Sequence, residues 1–230
     1  MTRTYAIADL HGRFDLLSAS YDKLVNLEPG LIVHLGDYVD RGPSSKAVIG
    51  CLMDEKTIPG GFHRLVLKGN HEQIMVETIR KPLNPGWWMA NGGDATLKSY
   101  GHPKMRISYT DVWPYNPGVV PVEHVDFLNA LPRYFCDRHR VYVHAGLDES
   151  LTLPEQKDDV LFWMFYPKGH CGGYHGLHVV HGHEQHDDGP HLYTSRTNLD
   201  VGAYHSGRLV IGVFDDDLPG GPIEIIEVKA

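Results

Sequence analysis

The first eighty residues alternate short apolar runs with stretches whose apolar side chains recur at helical spacing. This alternation is typical of βαβ units, in which the strands form a largely parallel sheet and the helices cover it. The pattern therefore predicts an α/β fold from the start of the chain. The predicted strands are residues 4–8, 31–35 and 64–68, and the predicted helices are residues 14–27, 44–54 and 71–80.

The rest of the chain divides into an irregular region and a mainly β half. Residues 82–121 are rich in proline, glycine and tryptophan without a sustained period, which predicts an inserted cap or rim rather than a second domain. We therefore expect one domain over residues 1–230. The remaining predicted elements are a helix at 121–131 and strands at 134–136, 140–143, 177–180, 197–199, 208–211 and 223–228.

Composition narrows the partners that such a chain can have. There are 21 Lys and Arg against 29 Asp and Glu, so the formal net charge of -8 disfavours binding nucleic acid through a basic face. The sequence has neither the run of about 20 apolar residues that crosses a membrane nor a signal-peptide pattern. Three cysteines without a CxxC pair suggest no disulfide framework. We expect a cytoplasmic protein that does not bind membranes.

Polar residues that could bind metal follow the predicted strands. Because the carboxyl ends of parallel strands face one crevice, these side chains are expected to meet there. Carboxylate, imidazole and amide ligands together suit manganese, iron or zinc better than calcium. Two such ions about 3.5–4 Å apart form a site for in-line displacement at phosphorus, which predicts phosphoester hydrolysis. The residues are Asp9, His11, Asp37, Asn70 and His144, with His181 or His183 after the last of these strands.

Five motifs in order resemble the PPP family of metallophosphatases, within the calcineurin-like phosphoesterase superfamily. They are Asp-x-His-Gly from Asp9, Gly-Asp-x-Val-Asp-Arg-Gly from Gly36, Gly-Asn-His-Glu from Gly69, then His144-Ala-Gly and Gly182-His183-Glu. Nearly the whole chain is similar to the compact bacterial and phage members. The resemblance implies a four-layer sandwich of two mixed β-sheets flanked by helices.

The resemblance also implies two divalent metal ions, with manganese expected first and iron or zinc as alternatives. Asp37 would bridge the two ions. The implied ligands are Asp9, His11 and Asp37 for one ion, and Asp37, Asn70, His144 and His183 for the other.

Three further motif residues have roles that follow from phosphoester chemistry. His71 is the candidate acid that protonates the leaving oxygen, and Asp40 would hold its imidazolium form. Arg41 can present a planar fork to two phosphate oxygens. In the mechanism we expect, a hydroxide that bridges the metals attacks phosphorus in line, with no covalent phosphoenzyme.

One position departs from the family pattern. Members commonly carry a second phosphate-binding arginine after the His-Ala-Gly segment, where this chain has Phe165. Lys168, His170 or Arg196 could take its place, or the clamp is missing. The histidine-dense segment 170–191 beside them could bind another ion or the substrate, although its spacing matches no known closed site.

The sequence leaves the substrate open, as it does the oligomeric state. A phosphorylated protein (Ser/Thr or Tyr) or a small phosphoester is the leading interpretation. The alternative is a symmetrical dinucleoside polyphosphate hydrolase, and a weaker one is a non-catalytic metal- or phosphate-binding module. Trp87, Trp88 and Trp113 could stack on a nucleobase at the rim, or form a hydrophobic cluster under the inserted region.

Overall fold

Two five-stranded β-sheets pack face to face and place helices on their outer sides. The computed structural model describes residues 3–81, 85–102, 106–107, 112–113 and 117–229. The strands in that part of the chain are β1 (Arg3–Ile7), β2 (Leu31–His34), β3 (His63–Val66), β4 (Arg106–Ile107), β5 (Val112–Trp113), β6 (Tyr134–Cys136), β7 (Arg140–Val143), β8 (His178–His181), β9 (His191–Leu192), β10 (Arg196–Asn198), β11 (Arg208–Asp215) and β12 (Glu224–Lys229). The α-helices there are α1 (Phe14–Leu24), α2 (Ser45–Met53), α3 (Asn70–Arg80), α4 (Gly86–Ala90), α5 (Gly93–Ser99), α6 (Val122–Ala130), α7 (Asp158–Trp163) and α8 (Ala203–Ser206).

Both sheets combine parallel and antiparallel strands. The first has the order β12-β11-β1-β2-β3, with β1, β2 and β3 parallel and β11 antiparallel to β1. The second has the order β6-β7-β8-β10-β9, with three parallel central strands and antiparallel edges. The predicted arrangement of two mixed sheets flanked by helices is confirmed.

Successive side chains of a strand point to opposite faces of its sheet, so a strand can pack against the helices on one face and against the other sheet on the other. In β1, Tyr5 and Ile7 point to the helices, whereas Ala6 faces the second sheet. In β8, Val179 packs on the outer side beside α7 and Val180 packs between the sheets. A strand buried on both faces needs apolar residues at consecutive positions, which explains why these strands are short continuous apolar runs.

The predicted elements differ from the structure in several places, among them α7, α8 and β9, which the pattern did not predict. Helix α1 ends at Leu24 rather than at residue 27, and Val25, the residue after the helix, is 64% exposed. The segment 82–121, which the sequence predicts as a cap or rim, includes α4 and α5, which are five and seven residues long and separated at Gly92 with φ 97°. Helices this short show no sequence period. The Trp113 side chain lies outside the described residues.

No helix among the described residues is both long and apolar enough to cross a membrane.

Candidate active site

The predicted site residues come from loops at one end of both sheets. Those after β1, β2 and β3 belong to the first sheet, and those after β7 and β8 to the second. Asp9, His11, Asp37, Asn70 and His144 are all at most 3% exposed. Folding therefore removes these charged and polar side chains from water. The free energy lost by desolvation must be regained through hydrogen bonds, ion pairs or bound metal ions.

Backbone strain concentrates at the same loops. Seven non-glycine residues in the described part of the chain have positive φ, and all but His175 are predicted site residues. Such conformations cost free energy and persist where the surrounding structure imposes them, often at functional sites. The strained site residues are Asp9, His11, Asp37, Asp40, Arg41 and His183.

Two motif glycines are explained by close approach. A Cβ at Gly182 would overlap the Asp9 carboxylate, and one at Gly69 would overlap that of Asp37. The loops can therefore pass against these carboxylates only without a side chain.

Asp37 lies at the centre of the site. Its Oδ2 is 3.4 Å from His11 Nε2 and 3.9 Å from His71 Nε2, and its Oδ1 is 3.4 Å from His144 Nε2. Asp37 consequently belongs to two groups of potential ligands, one with His11 and His71 and the other with His144 and His183. Burial acts to raise the pKa of Asp37, but the surrounding imidazoles, His144 first, hold it well below its usual value.

Acceptor atoms crowd together beside Asp37. His144 Nδ1 donates to the Leu35 carbonyl over 3.0 Å, which leaves a lone pair on Nε2 of the neutral ring. The Asn70 side-chain oxygen lies 2.9 Å from that nitrogen and 3.1 Å from both Asp37 oxygens. With the amide turned over, its nitrogen would donate to the same atoms, whereas the oxygen is the atom that would face a cation.

His183 supplies the second sign of a metal site. Its Nε2 is buried and has no hydrogen-bond partner. Burial, followed by the charge of His144, lowers the pKa of His183 to about 3, so the ring is neutral and its lone pair is available at neutral pH. An orphaned buried nitrogen beside crowded acceptors is costly unless a cation pairs with them. The donor set therefore fits a centre with divalent transition metals.

Asp9 lies beside these groups without belonging to either. Its carboxylate accepts from the His183 backbone N–H over 3.1 and 3.2 Å. Burial, then the charges of Asp200 and Asp37, raise the pKa of Asp9 well above its usual value, and burial raises that of Asp200 to about 7. Asp200 is a buried site carboxylate that the sequence analysis did not single out.

His71 and Asp40 form a buried pair. His71 Nδ1 lies 2.7 Å from Asp40 Oδ2, and neither side chain is more than 1% exposed. The other carboxylate oxygen accepts from Trp88 Nε1 over 2.9 Å and from Thr96 Oγ1 over 2.7 Å. Burial opposes protonation, but the charge of Asp37 and the hydrogen bond to Asp40 raise the pKa of His71. Trp88, which the sequence analysis placed either at a rim or in a hydrophobic cluster, is buried and donates to Asp40, and Thr96 is a neighbour of the pair that the sequence analysis did not name.

Glu72 joins two of the motif loops. Its carboxylate accepts from the backbone N–H groups of Asp37, Tyr38 and Gly69 over 2.8–2.9 Å. Burial, followed by the charge of Asp37, raises the pKa of Glu72 to about 7. The motif glutamate thus fixes the backbone that carries Asp37.

Arg41 lies at the open side of the site. It is exposed, its Nη1 lies 2.8 Å from His11 Nε2, and its guanidinium covers the Tyr204 ring at 5.0 Å. The Phe165 ring is 65% exposed and packs on His183 with centroids 4.7 Å apart. An apolar ring therefore lies where the resemblance led us to look for a second arginine.

The three residues that could replace the second phosphate-binding arginine have different surroundings in the structure. Arg196 is 2% exposed, is enclosed by the Tyr166 and Tyr193 rings, and pairs with Glu184 at 3.3 Å. The guanidinium of Arg196 therefore makes its contacts inside the protein. His170 stacks on Tyr166. Lys168 is exposed and lines the cavity beside Phe165.

Known proteins resemble this chain both in sequence and in fold. "Serine/threonine-protein phosphatase 1" of Salmonella typhimurium is 31% identical over 91 residues, which is 39% of this chain and 38% of that protein. The chain thus matches about two fifths of the length of this curated relative. Among solved structures, a candidate diadenosine tetraphosphatase has a TM-score of 0.63 at 22% identity, covering 100% of this chain and 94% of that one. A cold-active protein-tyrosine phosphatase of a psychrophilic Shewanella has a TM-score of 0.62 at 15% identity, covering 100% and 81%.

The two structural likenesses establish the fold, and the sequence family goes further. The family model described as calcineurin-like phosphoesterase matches residues 2–211, which is nearly the whole chain. Membership implies divalent metal ions as cofactors, in agreement with the two ligand groups that share Asp37. The chain belongs to the calcineurin-like phosphoesterase family.

Proposed function

We propose that this chain is a metal-dependent phosphoesterase that hydrolyses phosphomonoesters. The observation that carries the proposal is the position of Asp37, which is shared by two groups of potential ligands and whose Oδ2 lies 3.9 Å from Nε2 of His71 in the buried histidine–aspartate pair. A non-catalytic metal- or phosphate-binding module would need the metal ligands but not the hydrogen bond between His71 and Asp40. Bound divalent ions, with manganese proposed first, supply Lewis-acid activation of water and neutralise phosphate charge.

The chain's own residues divide the remaining work. Asp9, His11, Asn70, His144 and His183 would hold the ions together with the shared Asp37. His71 donates its Nε2 proton to the leaving oxygen, because Asp40 holds Nδ1 and favours the protonated ring. Arg41 binds two phosphate oxygens through its planar guanidinium, from the exposed side of the site.

Phosphorylated proteins, with phosphate on Ser/Thr or Tyr, are the substrate class we propose, and a small phosphoester is the other partner considered. Support comes from the phosphatase names of the curated relative and of one structural neighbour. We also place the protein in the cytoplasm, because its three cysteines are free thiols.

One feature favours symmetrical dinucleoside polyphosphates as the alternative substrate. Trp87 is 61% exposed and lies against Trp163, with ring centroids 6.3 Å apart, at a cavity of about 590 Å³. The Trp163 ring is in turn 6.4 Å from the His183 ring. The exposed Trp87 indole beside the site could stack on an adenine.

The test compares substrates with one manganese-loaded protein. We expect turnover of p-nitrophenyl phosphate and of phosphoserine or phosphotyrosine peptides. His71→Ala should lose turnover of the phosphoserine peptide and much less of that of p-nitrophenyl phosphate, because p-nitrophenolate leaves without a proton. Trp87→Ala should leave these rates within about twofold, since Trp87 touches no predicted ligand. If diadenosine tetraphosphate is the better substrate and Trp87→Ala selectively impairs it, the alternative is correct. Two bound metals without turnover of any substrate would instead support the binding module.

A further inference from the structure

A third group of potential metal ligands lies in the histidine-dense segment, apart from the residues of the candidate active site. His186, Asp188 and His191 each place a ring nitrogen or carboxylate oxygen within 4.8 Å of the other two. The two imidazoles stack with centroids 4.2 Å apart. The proposed phosphoesterase mechanism uses none of these three residues.

We propose that His186, Asp188 and His191 form a separate site for a zinc-like divalent ion. His191 Nε2 and Asp188 Oδ1 are 3.2 Å apart. Ligand atoms bound tetrahedrally to zinc at about 2.0–2.1 Å lie about 3.3 Å from each other, so this pair already has the required separation. Two imidazoles and one carboxylate favour zinc, nickel or copper over magnesium or calcium.

The loop that carries the group is held in place without a metal. The His186 backbone N–H donates to the Asp200 carbonyl over 3.2 Å, and the Gly189 N–H donates to the His186 carbonyl over 3.0 Å. Arg208 donates to the carbonyls of Asp187 and Gly189 over 2.9 and 3.2 Å. Because the backbone is already ordered, binding an ion costs little conformational entropy.

The site is open to an ion and adjoins the substrate side of the molecule. The Asp188 side chain is 85% exposed and that of His191 is 27% exposed. His186 and His191 line a cavity of about 430 Å³ that Phe165 and Lys168 also line. The Phe165 ring in turn packs on His183. A bound ion would therefore add positive charge at the wall of a cavity beside the candidate active site.

Zinc binding by metal-stripped protein tests the site, measured as equivalents retained after dialysis against buffered zinc. We expect wild type to retain one equivalent more than His191→Ala and more than Asp188→Ala, whose exposed side chain is unimportant for folding. The exposed His63 serves as the matched control, and His63→Ala should behave as wild type.

The third site and the candidate active site can be separated with Asp37→Asn. This variant should lose the active-site ions yet retain the equivalent that depends on His191, whether or not the protein turns over phosphoesters. If His191→Ala and Asp188→Ala bind as much zinc as wild type, the third site does not exist. The same conclusion follows if Asp37→Asn removes all bound zinc.

Discussion

Replacing Asp40 by asparagine tests how the buried pair works. Asp40 accepts from His71 on one oxygen and from Trp88 and Thr96 on the other. The two donors hold the asparagine oxygen, so its NH₂ group must face His71 Nδ1. An amide nitrogen donates rather than accepts, and it therefore forces the ring into the neutral tautomer with its proton on Nε2. The side-chain shape is kept while the imidazolium loses its partner.

The expected effect depends on the leaving group. General acid catalysis contributes about 10²–10⁴-fold, or roughly 3–5 kcal/mol of the barrier. Asp40→Asn should lower kcat by that range for an alkyl phosphate such as a phosphoserine peptide, whose alkoxide needs a proton. For p-nitrophenyl phosphate the loss should be less than about tenfold, because p-nitrophenolate leaves without one.

The assay measures kcat for both substrates in wild type, Asp40→Asn and the exposed-carboxylate control Asp94→Asn. Equal losses for both substrates would refute the reasoning, since they would show that Asp40 acts on something other than the leaving oxygen. Metal content measured on the same samples separates this result from loss of the metals.

Three further predictions concern stability and phosphate binding. Thr96→Val removes a donor to the buried Asp40 carboxylate and should lower the urea unfolding free energy by about 1.5–3 kcal/mol; an unchanged midpoint would contradict this. Burial, followed by the charge of Arg64, lowers the pKa of His34 from 6.5 to about 3, so the unfolded state binds more protons than the folded state between these values. Stability should be complete above about pH 6.5 and fall towards pH 3 by at most about 5 kcal/mol, with a shallower slope in His34→Gln; equal slopes would contradict this. Arg41→Lys keeps the charge but loses the fork, and should lower kcat/KM by roughly 10–100-fold with metal content unchanged; an unchanged kcat/KM would exclude a phosphate-binding role.

The position of the site could be predicted because it depends on local pattern. Asp9, Asp37 and Asn70 follow apolar strands, and parallel strands bring their carboxyl ends to one edge. The residue types alone then limited the metals. The motif glycines carried the same information, since Gly69 and Gly182 are the places where a side chain would overlap a carboxylate.

The surroundings of the site could not be predicted because they depend on contacts distant in sequence. Trp88 and Thr96 reach Asp40 across 48 and 56 residues, from helices too short to show a period. Asp200 is far from Asp9 in the sequence, near the opposite end of the chain, and nothing in its local sequence marks it as buried. The tyrosines that enclose Arg196 likewise come together only in the folded chain.

The dependence of turnover on Asp37 and added metal tests the central claim most directly. We would strip the protein of metal, restore manganese, and measure p-nitrophenyl phosphate hydrolysis together with bound metal in wild type, Asp37→Asn and Asp94→Asn. The account predicts two bound ions and manganese-dependent turnover in wild type and Asp94→Asn, and loss of both ions and activity in Asp37→Asn. Turnover that persists without metal, or in Asp37→Asn, would contradict it.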